Sequence, residues 1–271
     1  MIRAVCAIFI LVAGACAAFA QTGAPSEKGN IVSKVSPDVV KDLAPTGKLR
    51  ATINLGNMVL AQGTPDAPRG VTVELSRELA KRLGVPVEFT CFDAAGKAFD
   101  AFKSGKLDII FLAIEPVRAA EIAFTAPYVL IEGVYMVQNN SPIKSGADVD
   151  KAGVRVAVNK GSAYDLFLTR TLKSATLVRA ESGPEAFVEQ KLDVVGGVKQ
   201  AQQEFMKTHP GLRLIDGRFM EIQQAMGIAH GKPAGEKYLK AFVEEMKSSG
   251  FVADALKRSN QHDAAVAPPA S

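Results

Sequence analysis

The chain has 271 residues, 48% of them apolar and 22% charged, with a formal net charge of +4. That length is generous for one core and suits two lobes of ordinary size, and with no low-complexity tract the composition excludes a disordered protein. The positive residues are dispersed, and their small surplus falls to +3 (4 − 1) if Arg3 is lost, which argues against a nucleic-acid binder.

Residues 1–20 read as a signal peptide. Arg3 gives a positive start, Ala4 to Ala20 is uncharged and apolar, and Ala18-Phe19-Ala20 is an A-x-A cleavage pattern, so export to the periplasm follows, with cleavage near Ala20. A membrane anchor is the plainer alternative, but the stretch is short, rich in Ala and Gly, and followed by polar Gln21-Thr22-Gly23. A third reading takes Ala13-Gly14-Ala15-Cys16 as a lipid-attachment box with Cys16 acylated, although Ala13 stands where a larger aliphatic is usual. Once Cys6 and Cys16 leave with the leader, Cys91 is alone and cannot form an internal disulfide; it reads as a buried thiol.

Residues 21–44 read as a polar tether and a short helix with Ser36 as N-cap and Pro37 at the first position. From Leu49 strands and helices alternate: strand Leu49 to Leu55, amphipathic helix Val73 to Leu83 closed by Gly84, strand Val87 to Phe92, helix Ala98 to Lys103, and buried strand Asp108 to Ile114. The rhythm restarts after Ser141-Pro142 with strands at Val154 to Val158, Leu177 to Arg179, Asp193 to Gly196 and Leu212 to Ile215. Helices at Ala163 to Lys173, Pro184 to Gln190 and Gln200 to His209 separate them. Met220 to Ala229 is extended, Lys232 to Lys247 and Phe251 to Arg258 are helical, and 261–271 is an Ala- and Pro-rich tail expected to be disordered. This order predicts an α/β fold of two lobes, each a mostly parallel sheet flanked by helices, with a ligand cleft outside the carboxyl ends of the strands.

Several ordered motifs carry a resemblance: Gly47-Lys48-Leu49-Arg50, Gly70-Val71-Thr72-Val73-Glu74-Leu75, Gly105-Lys106-Leu107-Asp108, Pro116-Val117-Arg118-Ala119, Phe124-Thr125-Ala126-Pro127-Tyr128 and Lys191-Leu192-Asp193. Together they resemble the family 3 extracellular solute-binding proteins, the periplasmic receptors of amino-acid ABC transporters, from about Leu43 to Arg258. The resemblance implies a type II periplasmic-binding-protein fold. Residues 45–138 and 226–260 form lobe 1 and residues 139–225 form lobe 2, with crossovers near Val137 to Pro142 and Gln224 to Ile228 and a hinge closure between lobes. It also implies a small-molecule ligand, an inner-membrane ABC permease as partner, no cofactor, and a monomer.

In the family, an arginine at the position of Arg118 grips the ligand carboxylate through its planar fork; the alternative is a surface arginine paired with Glu121. Ala113, the last residue but one of the buried strand Asp108 to Ile114, is a further expected ligand contact. Lys160, Gly161, Ser162 and Ala163 open a helix whose start attracts anions, with Ser162 and Asp165 having capping-box character. Asn57 offers a polar contact or simply forms a turn. Two departures bear on the solute. Glu115 stands where the family has threonine, either pairing with Arg118 or receiving a cationic group on the ligand. Around Gly197 the segment Val194 to Lys199 lacks the acidic residue that holds an α-ammonium. Tyr128 and Tyr135 read as packing residues. A dehydratase on the same fold, with Glu115 as its acid or base, and a sensory module are the alternative functions; His209, His230 and His262 are isolated, and no nucleophile elbow, phosphate loop or zinc spacing is present.

Overall fold

A computed structural model describes residues 35–270. The leader, the lipid-attachment box and the tether up to residue 34 lie outside the described residues. The first half contains α1 (Pro37–Leu43), β1 (Leu49–Asn54), β2 (Gln62–Thr64), β3 (Ala67–Arg69), α2 (Val71–Leu83), β4 (Val87–Phe92), α3 (Ala95–Lys103), β5 (Ile109–Ala113), α4 (Pro116–Ala119) and β6 (Ile122–Gln138). It continues through β7 (Arg155–Asn159), α5 (Ala163–Thr171), β8 (Thr176–Ala180), α6 (Gly183–Glu189), β9 (Val194–Val198), α7 (Lys199–Thr208), β10 (Leu212–Leu214) and β11 (Met220–Ala229). The chain then closes with α8 (Pro233–Ser248), α9 (Phe251–Arg258) and β12 (Ala265–Val266).

The helix boundaries follow their punctuation. Ser36 caps α1 by accepting from the amide of Val39, with Pro37 in the first turn where its missing N–H costs nothing. In α2 the apolar face buries Val71, Leu75 and Leu79, and the helix stops at left-handed Gly84. The β2–β3 hairpin, absent from the sequence reading, is made of three-residue strands too short to show a period.

The large sheet runs β4-β1-β5-β11-β6-β9-β7-β8. One half is the parallel trio β4-β1-β5 and the other the parallel trio β8-β7-β9. Between them lie two long antiparallel strands: β11 pairs with β5 and β6, and β6 pairs with β11 from Ile122 to Gly133 and with β9 from Gly133 to Met136. The result is the two-lobed type II periplasmic-binding-protein architecture, with β6 and β11 as crossovers. The change of partner in β6 comes at Gly133, ahead of the segment Val137 to Pro142 expected to cross. Gln224 to Ile228 already pairs with β5 of the first lobe.

Tyr128 and Tyr135 are both buried on β6: Tyr128 meets Phe111 edge-on, and Tyr135 stacks on Phe219 at 4.3 Å between ring centres. Their packing role holds. Cys91 is half-buried rather than buried, with Sγ 3.8 Å from the carbonyl oxygen of Pro65. Burial and then the charge of Asp66 push its thiol up, which leaves it a poor nucleophile.

The tail departs from expectation. β12 pairs with β6, Lys247 Nζ donates to the carbonyls of Pro268 (2.8 Å) and Pro127 (3.2 Å), and the amide of Ala270 donates to Glu244 (3.1 Å). Composition alone suggested fraying, but the buried ammonium of Lys247 needs acceptors and the tail supplies one of them.

Candidate functional site

The carboxyl ends of β1 and β5 in one lobe face those of β7 and β9 in the other across a cavity of about 410 Å³, within the size range of small-molecule sites. Asn57, Ala113 and Arg118 line it from lobe 1, and Lys160, Ser162, Ala163 and Gly197 from lobe 2. Of the other residues singled out from the sequence, neither Gly161 nor Glu115 lines the wall, although the carbonyl of Gly161 bonds Arg118.

Arg118 sits in the single turn of α4, started by Pro116 directly after β5. It is 1% exposed. Its guanidinium donates to the carbonyl of Ala113 (3.1 Å) and, across the cleft, to that of Gly161 (2.9 Å). Only the backbone connects it to Glu121, so the surface-pair alternative does not hold. Burial pulls its pKa down to about 10, opposed by the charge of Glu115, and it remains cationic at neutral pH. A buried cation bonded only to neutral carbonyls is costly, and an anion in the cleft offsets that cost.

The turn before α5 differs from the expected anion cradle. Ser162 caps the helix by accepting from the amide of Asp165 (3.0 Å), and Asp165 in turn accepts from the amide of Gly161 (2.9 Å) and from Arg179 (2.9 Å). The amide of Gly161 is therefore spent on an anion the protein itself provides, and Ser162's own amide is bonded to the carbonyl of Asn159 (3.2 Å). Lys160 is exposed and forms no ion pair with the described residues.

Glu115 is 3% exposed and pairs with Arg170 on α5. In place of the expected direct pair with Arg118, its carboxylate bonds a lobe 2 arginine, while its charge still favours the protonated form of Arg118. This ion pair is one of several contacts between lobes. Lys97 of α3 reaches Glu181 (3.1 Å), and Gly96 meets Gly161 main chain on main chain: a Cβ built on Gly161 would lie 3.0 Å from the Cα of Gly96. Gly161 also has φ +71°, a conformation that favours glycine.

Asn57 behaves as a turn residue, its Oδ1 accepting from the amide of Val59 (3.2 Å), while still facing the cavity. Sequence reasoning missed two glutamines on the wall. Gln224 of β11 is 5% exposed. Gln202 of α7 is 1% exposed, and among the described residues neither Nε2 nor Oε1 has a hydrogen-bond partner. Each unpartnered buried pole costs about 1–3 kcal/mol. Gln202 fits only because residue 197 is glycine: a Cβ there would lie 2.3 Å from its Nε2. The sequence signal was Gly197 itself, a missing side chain opposite a glutamine on the next helix. The acidic side chains on the wall, Asp93, Glu185 and Glu204, are exposed.

The sequence profile of the bacterial extracellular solute-binding proteins, family 3, matches residues 58–261. The chain belongs to this family. Solved structures with the same fold include a mutant of the arginine-binding protein ArgBP from T. maritima, with 21% identity over 83% of this chain and 100% of that one and a TM-score of 0.69. A putative binding component of an ABC transporter from Wolinella succinogenes, complexed with lysine, has 22% identity over 79% and 95% and a TM-score of 0.67. An ancestral amino-acid-binding protein described as a precursor of cyclohexadienyl dehydratase has 23% identity over 81% and 98% and a TM-score of 0.67. No curated protein matches the sequence. As a member of family 3 the chain is a solute-binding protein of the extracellular or periplasmic type, with a small molecule as ligand. Among the described residues no helix is long and apolar enough to cross a membrane.

Proposed function

We propose that this chain is a periplasmic receptor that captures a small carboxylate-bearing solute, an amino acid or related compound, and delivers it to an inner-membrane ABC permease. The observation that carries the reading is Arg118: a guanidinium 1% exposed, on the cavity wall, and bonded among the described residues only to two carbonyls. In this reading the protein is exported by its 1–20 leader and acts as a monomer. Residues 45–138 with 226–260 form one jaw and 139–225 the other, and Arg118 reaches the solute together with the polar groups around Lys160 and Ser162.

The receptor reading is preferred to the dehydratase reading because Glu115, the carboxyl group which that chemistry would use, is engaged by Arg170 and stands off the wall. A receptor releases its solute unchanged, so turnover of any bound carboxylate would overturn this choice.

The test is a thermal-shift and calorimetric screen of the refolded mature protein against amino acids, other carboxylates, amines and sugars. A carboxylate at about 100 times its Kd adds about 2.7 kcal/mol of stability. Arg118→Met weakens that binding by at least about tenfold. Binding stays level between about pH 6 and 9, where the ligand carboxylate is ionised and Arg118 charged. Hits confined to amines or sugars, or undiminished affinity in the variant, would remove the carboxylate from the proposal.

A further inference from the structure

We infer that Gln202 is the second recognition residue of the cleft and that it selects a solute whose pole away from the carboxylate is neutral, a hydroxyl or carboxamide rather than an ammonium. The inference rests on the receptor reading above and adds the chemical class of the solute.

Three observations carry it. Gln202 stands on the cavity wall, 1% exposed, with both poles of its amide unpartnered among the described residues. A carboxamide is at once a donor and an acceptor, so its complement is a ligand group that both accepts and donates. The amide packs against Gly197, whose missing side chain admits it there, since a Cβ on residue 197 would lie 2.3 Å from Nε2; in the proposal a turn of its outer torsions brings it to the solute.

The rest of the wall agrees. The carboxylates that would hold an ammonium are exposed: Asp93 is bonded to Lys97 and Glu204 to Lys207, and Glu185 faces solvent. The buried carboxylates close in sequence to wall residues, Glu115 and Asp165, are occupied by Arg170 and Arg179. Gln224 brings a second neutral amide to the wall from β11. The interior thus offers one fixed cation, Arg118, and neutral amides elsewhere. A buried ammonium would lack a counter-charge there, and a hydroxyl would not.

The test uses matched pairs that differ only in the group at C2: lactate with alanine, malate with aspartate, 2-hydroxyglutarate with glutamate, and 2-hydroxyisovalerate with valine, each titrated by calorimetry. Succinamate, a carboxylate with a carboxamide, is added as a single probe. The wild-type protein is expected to bind the hydroxy acid of at least one pair, or succinamate, with its Kd lower than that of the amino partner, or of β-alanine for succinamate, by about tenfold or more. Gln202→Met, close in shape and without polar atoms, is expected to raise the melting temperature of the free protein, weaken the preferred probe by about fivefold or more, and close the gap within the pair. Gln202→Glu is expected to reverse the preference.

Gly197→Ala is an independent route, because its methyl displaces the amide without altering residue 202. A purely structural Gln202 predicts a lower melting temperature for Gln202→Met and unchanged selectivity, and that result overturns the inference. A wild-type preference for the amino partner also overturns it while leaving the receptor reading intact. If no carboxylate binds at all, the receptor reading fails and this inference fails with it.

Discussion

The two lobes are built on one local design used at two depths. In lobe 1, Arg50-Ala51-Thr52-Ile53-Asn54 forms most of β1, and Lys106-Leu107-Asp108 leads into β5; in lobe 2, Arg155-Val156-Ala157-Val158-Asn159 forms β7, and Lys191-Leu192-Asp193 leads into β9. Each aspartate accepts from the backbone amide and the guanidinium of the arginine on the neighbouring parallel strand: 2.9, 2.9 and 2.6 Å for Asp108 with Arg50, and 2.8 and 3.4 Å for Asp193 with Arg155. Each asparagine ends its strand at the cavity. The depths differ: the side chains of Asp108 and Arg50 are 0% and 19% exposed, those of Asp193 and Arg155 39% and 45%. A shared motif therefore fixes strand register in both halves, but only in lobe 1, whose β5 leads to Arg118, does it act where solvent cannot stand in for a lost partner.

Breaking the deep copy should have the largest effect. Asp108→Ala leaves the amide and guanidinium of Arg50 short of their acceptor, and a loss of about 3–5 kcal/mol in urea unfolding is expected; a loss below about 1 kcal/mol would show that water replaces the carboxylate. The cross-lobe pair comes next. Glu115 is buried but Arg170 is 42% exposed, so a double-mutant cycle of Glu115→Gln with Arg170→Met should give a coupling energy of about 1–2 kcal/mol. A coupling near zero would mean that the pair is not held in solution. The shallow copy is the smallest. Asp193→Ala is expected to cost no more than about 1 kcal/mol, or about 2–4 °C in melting temperature, and a cost equal to that of Asp108→Ala would erase the distinction between the lobes.

Much of the fold was legible because its elements are periodic and clearly bounded. The strand Val87 to Phe92, the extended run Met220 to Ala229 and the helix Phe251 to Arg258 were read at their observed limits. The crossover in β6 was not, since the strand runs on as extended apolar sequence past Glu132-Gly133, and a charged residue followed by a glycine does not by itself mark a change of partner. The tail was misread because Ala and Pro say nothing of a buried lysine elsewhere that needs their carbonyls. At the site, Arg118 and the turn at Lys160 were visible through their motifs. The fate of Glu115 was not, because Arg170 lies 55 residues away in the chain and only tertiary packing joins them. Gln202 was hidden for the opposite reason: a glutamine on an amphipathic helix is normally solvated, and its burial depends on the gap left by Gly197.

The contact of Gly96 with Gly161 gives the jaws a hard stop. With no side chain on either surface, nothing there can be compressed or rotated aside, so the distance between the lobes at full contact is set by the thickness of two peptide backbones.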